Sequence, residues 1–448
     1  MNGGLSMVEM KSGYKMTEVG VIPEDWEVCE LKNHLVLLTD YDANGSFADM
    51  ASNVVTTTGN GYAWYVRATD LEQQSSLSEV KYVDEKSYRF LRKSTLYGGE
   101  VLLAKRGEIG KVYYFQMKTK RATLAPNLYL LKLKDTINSY FLFSLFKSTF
   151  GQNLLKSINA STSLGAIYKD DVKGLNILIP PFEEQASIAT ALSDVDSLIS
   201  ALTKKIEKKK AIKQGLMQQL LTGKKRLPGY EKNRESVQTE WGTIPKDWKT
   251  LSIGKCCSIK ARIGWQGLKK SEYQSSGEYV LVTGTDFLNG RIDWKSCVYV
   301  SKKRYEQDSN IQIVKHDILI TKDGTIGKVA FLDDVPCLGT LNSGIFVVRS
   351  HSEELDQSYL SKIFKSFIFD AFLESLVAGS TINHLYQKDF VHFNFPVPPT
   401  ISEQTAIANI LSDCDSEIAA LEEKRDKYKE IKQGMMQQLL TGKIRLIK

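Results

Sequence analysis

The sequence predicts an α+β protein: two similar mixed α/β domains, each closed by one long helix. Three observations carry that expectation. The run IPPFEEQASIATALSDVDSLISALTKKIEKKKAIKQGLMQQLLTGKKRL (179–227) returns as VPPTISEQTAIANILSDCDSEIAALEEKRDKYKEIKQGMMQQLLTGKIRL (397–446). Through the helical part the offset is constant at 219, so Ala189 matches Ala408 and Gly223 matches Gly442. GVIPEDW (20–26) returns as GTIPKDW (242–248), KRGEIGKV (105–112) as KDGTIGKV (322–329), and ASTSLGAIYKDDV (160–172) as AGSTINHLYQKDF (378–390). Between these marks the halves diverge, and 62–92 has no convincing counterpart in 279–304. A period near 220 residues is a domain duplication, since solenoid repeats are far shorter. A protein of two similar halves is expected to meet something that also comes in two halves.

In chain order, residues 1–16 are expected to be a flexible N-terminus without the apolar core of a secretory signal. Residues 17–178 form the first domain and 179–227 its long helix. Residues 228–396 hold a linker and the second domain, and 397–448 the second helix. Inside each domain, β-rich runs such as VLLAKR, KVYYF, DILITK and IFVVRS alternate with Gly and Asn, which marks strands and turns. A helical stretch follows in each, at 139–158 and 357–377.

The long helices carry apolar residues stepping by three and four. In the first these are Ile188, Leu192, Val195, Ile199 and Leu202, and in the second Ile407, Leu411, Cys414, Ile418 and Leu421. Such a stripe seeks another helix. Each copy has a partner in the other or in a second protein, and periodicity alone leaves parallel and antiparallel pairing equally open. Pro180–Pro181 and Pro398–Pro399 precede the helices, and Gly223 and Gly442 sit where a C-terminal cap belongs. Toward the helix ends, Gln214, Leu216, Met217 and Gln218, with Gln433, Met435, Met436 and Gln437, make a face suited to adaptable packing on another protein.

Composition narrows the function. The chain has 448 residues, 42% of them hydrophobic, enough for two or three cores. No apolar run approaches a membrane span. Six scattered cysteines without a CxxC pair, and five histidines, argue against zinc or a disulfide framework and for a reduced, cytoplasmic protein. The net charge of +7 is modest, but 204–226 holds nine Lys/Arg against Glu207 alone, and basic clusters in the domains interleave with aromatics. That pattern favours a polyanion. Catalytic motifs are missing: IPPF has isoleucine where an amino-methyltransferase NPPY motif needs asparagine, and neither GxGxxG after a strand nor HExxH occurs. GEIGK and GTIGK lack the spacing of a phosphate loop, and are expected to be tight turns with left-handed glycines.

Taken together, GVIPEDW…EQASIATALSDVDSLI…KQGLMQQLLTGK and GTIPKDW…SEQTAIANILSDCD…KQGMMQQLLTGK resemble the specificity subunit of a type I restriction–modification system over essentially the whole chain. The resemblance implies two target-recognition domains, each reading one half of a split double-stranded DNA target. It implies that the two helices form an antiparallel coiled coil with internal pseudo-two-fold symmetry, fixing the half-site spacing. Two methyltransferase subunits dock on those helices, and restriction (translocase/nuclease) subunits join them. The chain itself is then non-catalytic and holds no cofactor; S-adenosylmethionine, ATP and Mg serve the partners. The rival is an assembly scaffold that never touches DNA.

Base-contacting residues do not carry over, because the domains diverge. The basic clusters single out Arg67, Arg262 and Lys269, and the shared turns single out Lys105, Arg106, Lys111, Lys322 and Lys328, as DNA-binding candidates. Arg106 is replaced by Asp323 in the second turn, so a contact there is not symmetric.

Overall fold

The computed structural model describes residues 12–159, 165–231, 235–377 and 384–446. Residues 1–11 of the expected flexible N-terminus, and much of the ASTSLG and AGSTIN repeat, lie outside the described residues. The chain divides into two compact units: residues to Thr203 with Glu423 onward, and Lys204–Glu422. The division crosses both long helices, so each unit owns the first half of one helix and the second half of the other.

In the first unit, strands Val112–Tyr114, Val101–Ala104, Leu128–Leu133 and Leu35–Asp40 form a wholly antiparallel sheet in that order. A second sheet of five short strands contains one parallel pair, Ala63–Val66 with Ala122–Leu124. Its strands are rich in Val, Leu, Thr and Tyr, which pack well on a pleated surface. Helices Ser139–Lys147 and Thr149–Ser157 follow, capped by Asn138 and Ser148, whose side chains accept from backbone N–H groups of the first turn.

The second unit repeats the build. Strands Val329–Phe331, Ile318–Thr321, Ile345–Ser350 and Cys257–Lys260 form the matching antiparallel sheet. Tyr279–Val282 runs parallel to Leu338–Leu341 in a three-stranded sheet. Helices Gln357–Phe364 and Phe367–Val377 complete the correspondence. One hairpin, Phe287–Leu288 with Arg291–Ile292, turns on Asn289 and Gly290, both at positive φ.

The long helices, Phe182–Leu220 and Ile401–Leu439, each run 39 residues. In the first unit the N-terminal half of one lies along the C-terminal half of the other, with Lys432 2.6 Å from Asp196. In the second unit the roles exchange: Lys209 meets Glu417 at 2.7 Å, Lys210 meets Glu422 at 2.6 Å and Lys213 meets Asp415 at 2.5 Å. The pairing is therefore antiparallel. The stripe works in two ways along its length. Ile188 and Leu192 are fully buried in the first unit's core with Trp26, Phe141 and Leu439; Ile407 and Leu411 are buried in the second with Trp248, Tyr359 and Leu220. Leu202 and Ile418 are also buried, while Val195, Ile199, Cys414 and Leu421 are half-buried along the helices. The first turns of the stripe thus belong to the domain cores as well as to the helix pair.

Each unit is closed by a clasp that uses the tail of the other half's helix. Arg226, just past the first helix, donates to Glu403 at 2.9 and 2.6 Å and to Asp247 at 2.7 Å. Arg445, past the second, donates to Glu184 at 2.8 Å and to Asp25 at 2.6 Å. Glu184 and Glu403 sit in the first turn of their helices, where the helix dipole also favours a carboxylate. The capping glycines fit the same clasp. A Cβ on Gly223 would lie 2.5 Å from Pro245, and one on Gly442 2.5 Å from Pro23, so only glycine lets the cap sit on the opening IPxDW motif. This explains why the helix end and that motif recur together. Among the described residues no helix is long and apolar enough to cross a membrane.

Candidate nucleic-acid interface

The shared turns are built as their glycines demand. Gly107 and Gly110 have φ of 87° and 93°, and Gly324 and Gly327 repeat them in the second unit, a left-handed conformation that costs glycine little. Each turn is laced to the loop that follows the helical pair. Ile167 N–H donates to the Lys105 carbonyl at 3.1 Å, and Leu385 N–H donates to that of Lys322 at 2.8 Å. Tyr168 and Tyr386 follow directly, at matching positions, 60% and 54% exposed.

Lys105 is turned inward. Its ammonium lies 3.1 Å from Asp40 and 2.5 Å from Asp42, and Lys169 reaches Asp40 at 2.8 Å. Burial pushes the Asp40 carboxyl up, but hydrogen bonds from Lys169 and Lys105 outweigh it and hold it below its ordinary value. This DNA-binding candidate is thus part of a hub that ties the turn to Asp40, Asp42 and, through Asp40, Lys169. In the second unit Lys322 has no such acid among the described residues; it lies over the Phe346 ring at 5.1 Å, half-buried. Asp323, in place of Arg106, pairs with His384.

Arg262 is likewise turned inward. It is 2% exposed and donates to the Leu341 carbonyl at 2.8 Å and the Thr340 hydroxyl at 3.0 Å, so it braces a strand. Arg67 clamps the buried Asp70 with two guanidinium nitrogens. Lys111 stands between Glu72 at 3.0 Å and Glu108 at 2.9 Å. Arg106, Lys269 and Lys328 project into solvent. Two aromatic–cation pairs in the first unit escaped sequence reasoning: Arg121 lies 4.3 Å from the Tyr62 ring, and Lys132 5.6 Å from Tyr97, itself 72% exposed. The repeat offered a signal for Tyr168 and Tyr386; nothing in the sequence pairs Arg121 with Tyr62.

At the helix ends, Met217 is 8% exposed and belongs to the second unit's core, with Leu216 packed against it. Met435 and Met436 pack on the first unit's core. Of these four only Met217 is buried; Leu216, Met435 and Met436 pack on the cores and stay half-buried. Gln214, Gln218, Gln433 and Gln437 are exposed.

Duplicated domains, each with an exposed cationic–aromatic turn and joined by paired helices, define a bipartite polyanion reader. The description "Type I restriction modification DNA specificity domain" matches residues 23–214 and 245–433. The chain belongs to this family of DNA-specificity proteins and carries two copies of its domain. It is 29% identical over 441 residues to a putative type I restriction enzyme MjaX specificity subunit of Methanocaldococcus jannaschii, covering 97% of each. It is 22% identical over 211 residues to the EcoKI specificity subunit of Escherichia coli, covering 45% of this chain and 44% of that protein. Its fold matches that of a type I restriction–modification S subunit from M. genitalium with a TM-score of 0.61, at 14% identity, over 92% of this chain and 96% of that one.

Proposed function

We propose that the chain is the target-recognition subunit of a type I restriction–modification complex, in which each unit reads one half of a bipartite double-stranded DNA site. The observation that carries this is the duplicated turn, Lys105–Val112 and Lys322–Val329, flanked in both units by an exposed tyrosine. Arg106, Lys322 and Lys328 on the turns, with Lys269 outside them, are the phosphate-side residues; Lys322 is half-buried and the other three are exposed. Lys111 is a weaker member, its charge shared with two glutamates. Phosphate contacts position a reader and base contacts specify, and stacking aromatics beside the turn suit the latter role. The recognition domains are 17–178 and 228–396, and the helices 179–227 and 397–448 set the half-site spacing. Adenine methylation and ATP-dependent cleavage reside in partner subunits, which supply S-adenosylmethionine, ATP and Mg chemistry. Two methyltransferase subunits dock on the exposed glutamines Gln214, Gln218, Gln433 and Gln437.

The test is a genome-wide map of modified adenines in the source organism, with the gene intact, deleted, or carrying Tyr386→Ala. Deletion should erase one split motif, and the substitution should relax only one of its halves. An unchanged map after deletion from an active system would refute the reading.

A further inference from the structure

The first unit fills the seam between its domain and its helix halves with aromatic rings. Asp196 accepts from the Tyr140 hydroxyl at 2.6 Å and pairs with Lys432 at 2.6 Å. Tyr140 meets Tyr114 edge-on at 5.0 Å, and Phe143 lies within 5.9 Å of both. The second unit keeps the acid and the lysine, as Asp415 and Lys213. It places Ser358 where Tyr140 would be and Ser361 where Phe143 would be, leaving Phe331 alone of the three rings. A cleft of about 910 Å³ opens there, lined by Phe331, Asp415 and the Asn289–Gly290 turn.

The floor of the cleft carries more positive charge than it neutralises. Lys213 and Lys362 share Asp415, at 2.5 and 3.1 Å. Lys365 gives its ammonium to a neutral acceptor, the Gly290 carbonyl, at 3.0 Å. Two ammoniums therefore share one carboxylate while a third, that of Lys365, has only a carbonyl, and Lys362 is 6% exposed. Arg291 adds a guanidinium at the rim, where Asp293 and Asp333 also stand, while Lys210 is matched by Glu422. Burial, then the neighbouring Lys362 and Lys213, pushes Lys365 down to about 8 against the opposing pull of Asp415. Buried charges are ordinarily paired, and a phosphate brings the missing negative charge with several acceptor oxygens for ammonium donors.

We propose that this cleft of the second unit binds a phosphate group, held by Lys213, Lys362, Lys365 and Arg291. Its volume lies in the range that takes small-molecule ligands, about 300–1,000 Å³, so a free nucleotide-sized phosphoester fits; the DNA backbone is the other source of the same chemistry. Among the described residues, the first unit keeps Lys147 and Lys432 at the matching positions but has Ser144 in place of Lys362 and rings where the cleft would open.

The experiment is trace acetylation of lysines in the full chain, read by mass spectrometry, with millimolar inorganic phosphate against chloride at equal ionic strength. Phosphate should protect Lys365 where chloride does not, and Arg291→Gln, on the exposed hairpin, should weaken that protection about tenfold, the worth of one partly buried charge contact. Ser358→Tyr, which copies the first unit, should abolish protection at unchanged Tm. A parallel arm uses a DNA duplex: protection by DNA that is competed by phosphate assigns the group to the backbone, and protection by phosphate alone assigns it to a free ligand. Equal labelling of Lys365 with and without phosphate in the unmodified chain overturns the proposal. The phosphate arm contains no DNA, so its failure is distinct from failure of the DNA-reading proposal.

Discussion

Arg445 and Glu184 stand 261 residues apart and meet through two guanidinium nitrogens, each 2.8 Å from a carboxylate oxygen. Glu184 is 1% exposed, so its charge has little water to fall back on. Removing the arginine leaves a buried carboxylate without its counter-ion, a change that typically costs about 3–5 kcal/mol. Arg445→Ala should therefore lower the stability of the first unit by that order in urea denaturation followed by tryptophan fluorescence. Adding Glu184→Gln to it should recover part of the loss. Arg226→Ala should do the same to the second unit, through Glu403.

Lys105 and Lys328 separate structure from binding. Lys105→Met strips Asp40 of one of its two lysines and should cost about 1–3 kcal/mol of stability. Lys328→Gln should leave the melting temperature unchanged. It should weaken binding of the assembled complex to all DNA sequences alike, lowering the slope of log affinity against log salt by about one. A changed sequence preference in Lys328→Gln would reassign that residue to base reading.

Acid should loosen the first unit through Asp40. Its folded-state carboxyl titrates below the ordinary value of 3.8, so the ion pairs stabilise the fold above that value, and the contribution is lost as pH falls through the lower folded value. The stability gap between the unmodified chain and Asp40→Asn should stay constant above about pH 5 and close below it. Urea midpoints measured across that range check it; a gap that widens in acid would contradict the assignment.

Met217 and Gln218 are neighbours on one helix with different tasks. Met217→Ala removes a buried side chain and should cost about 2–5 kcal/mol. Gln218→Arg with Gln437→Arg should leave the fold intact and reduce co-purification with methyltransferase subunits. Undiminished co-purification would move the docking face elsewhere on the chain.

Periodicity and repetition are local properties of a chain, and they determined a good deal here. The helix stripes, the proline starts and glycine caps, the left-handed turns and the doubling into two α/β domains could all be read from the sequence, because each depends on residues close together along it. Antiparallel pairing was legible only by resemblance. The tertiary structure alone decided which charges meet. Arg226, Arg445, Glu184 and Glu403 stand in plain view within the repeat, yet only folding shows that each tail closes the unit opened by the other half. It also decided that Lys105 and Arg262 face inward while Arg106 and Lys328 face out. A lysine's type reveals its charge, but whether that charge meets a carboxylate or water depends on loops such as 40–44 and 165–169 being brought to the turn, over distances in sequence that no local pattern encodes.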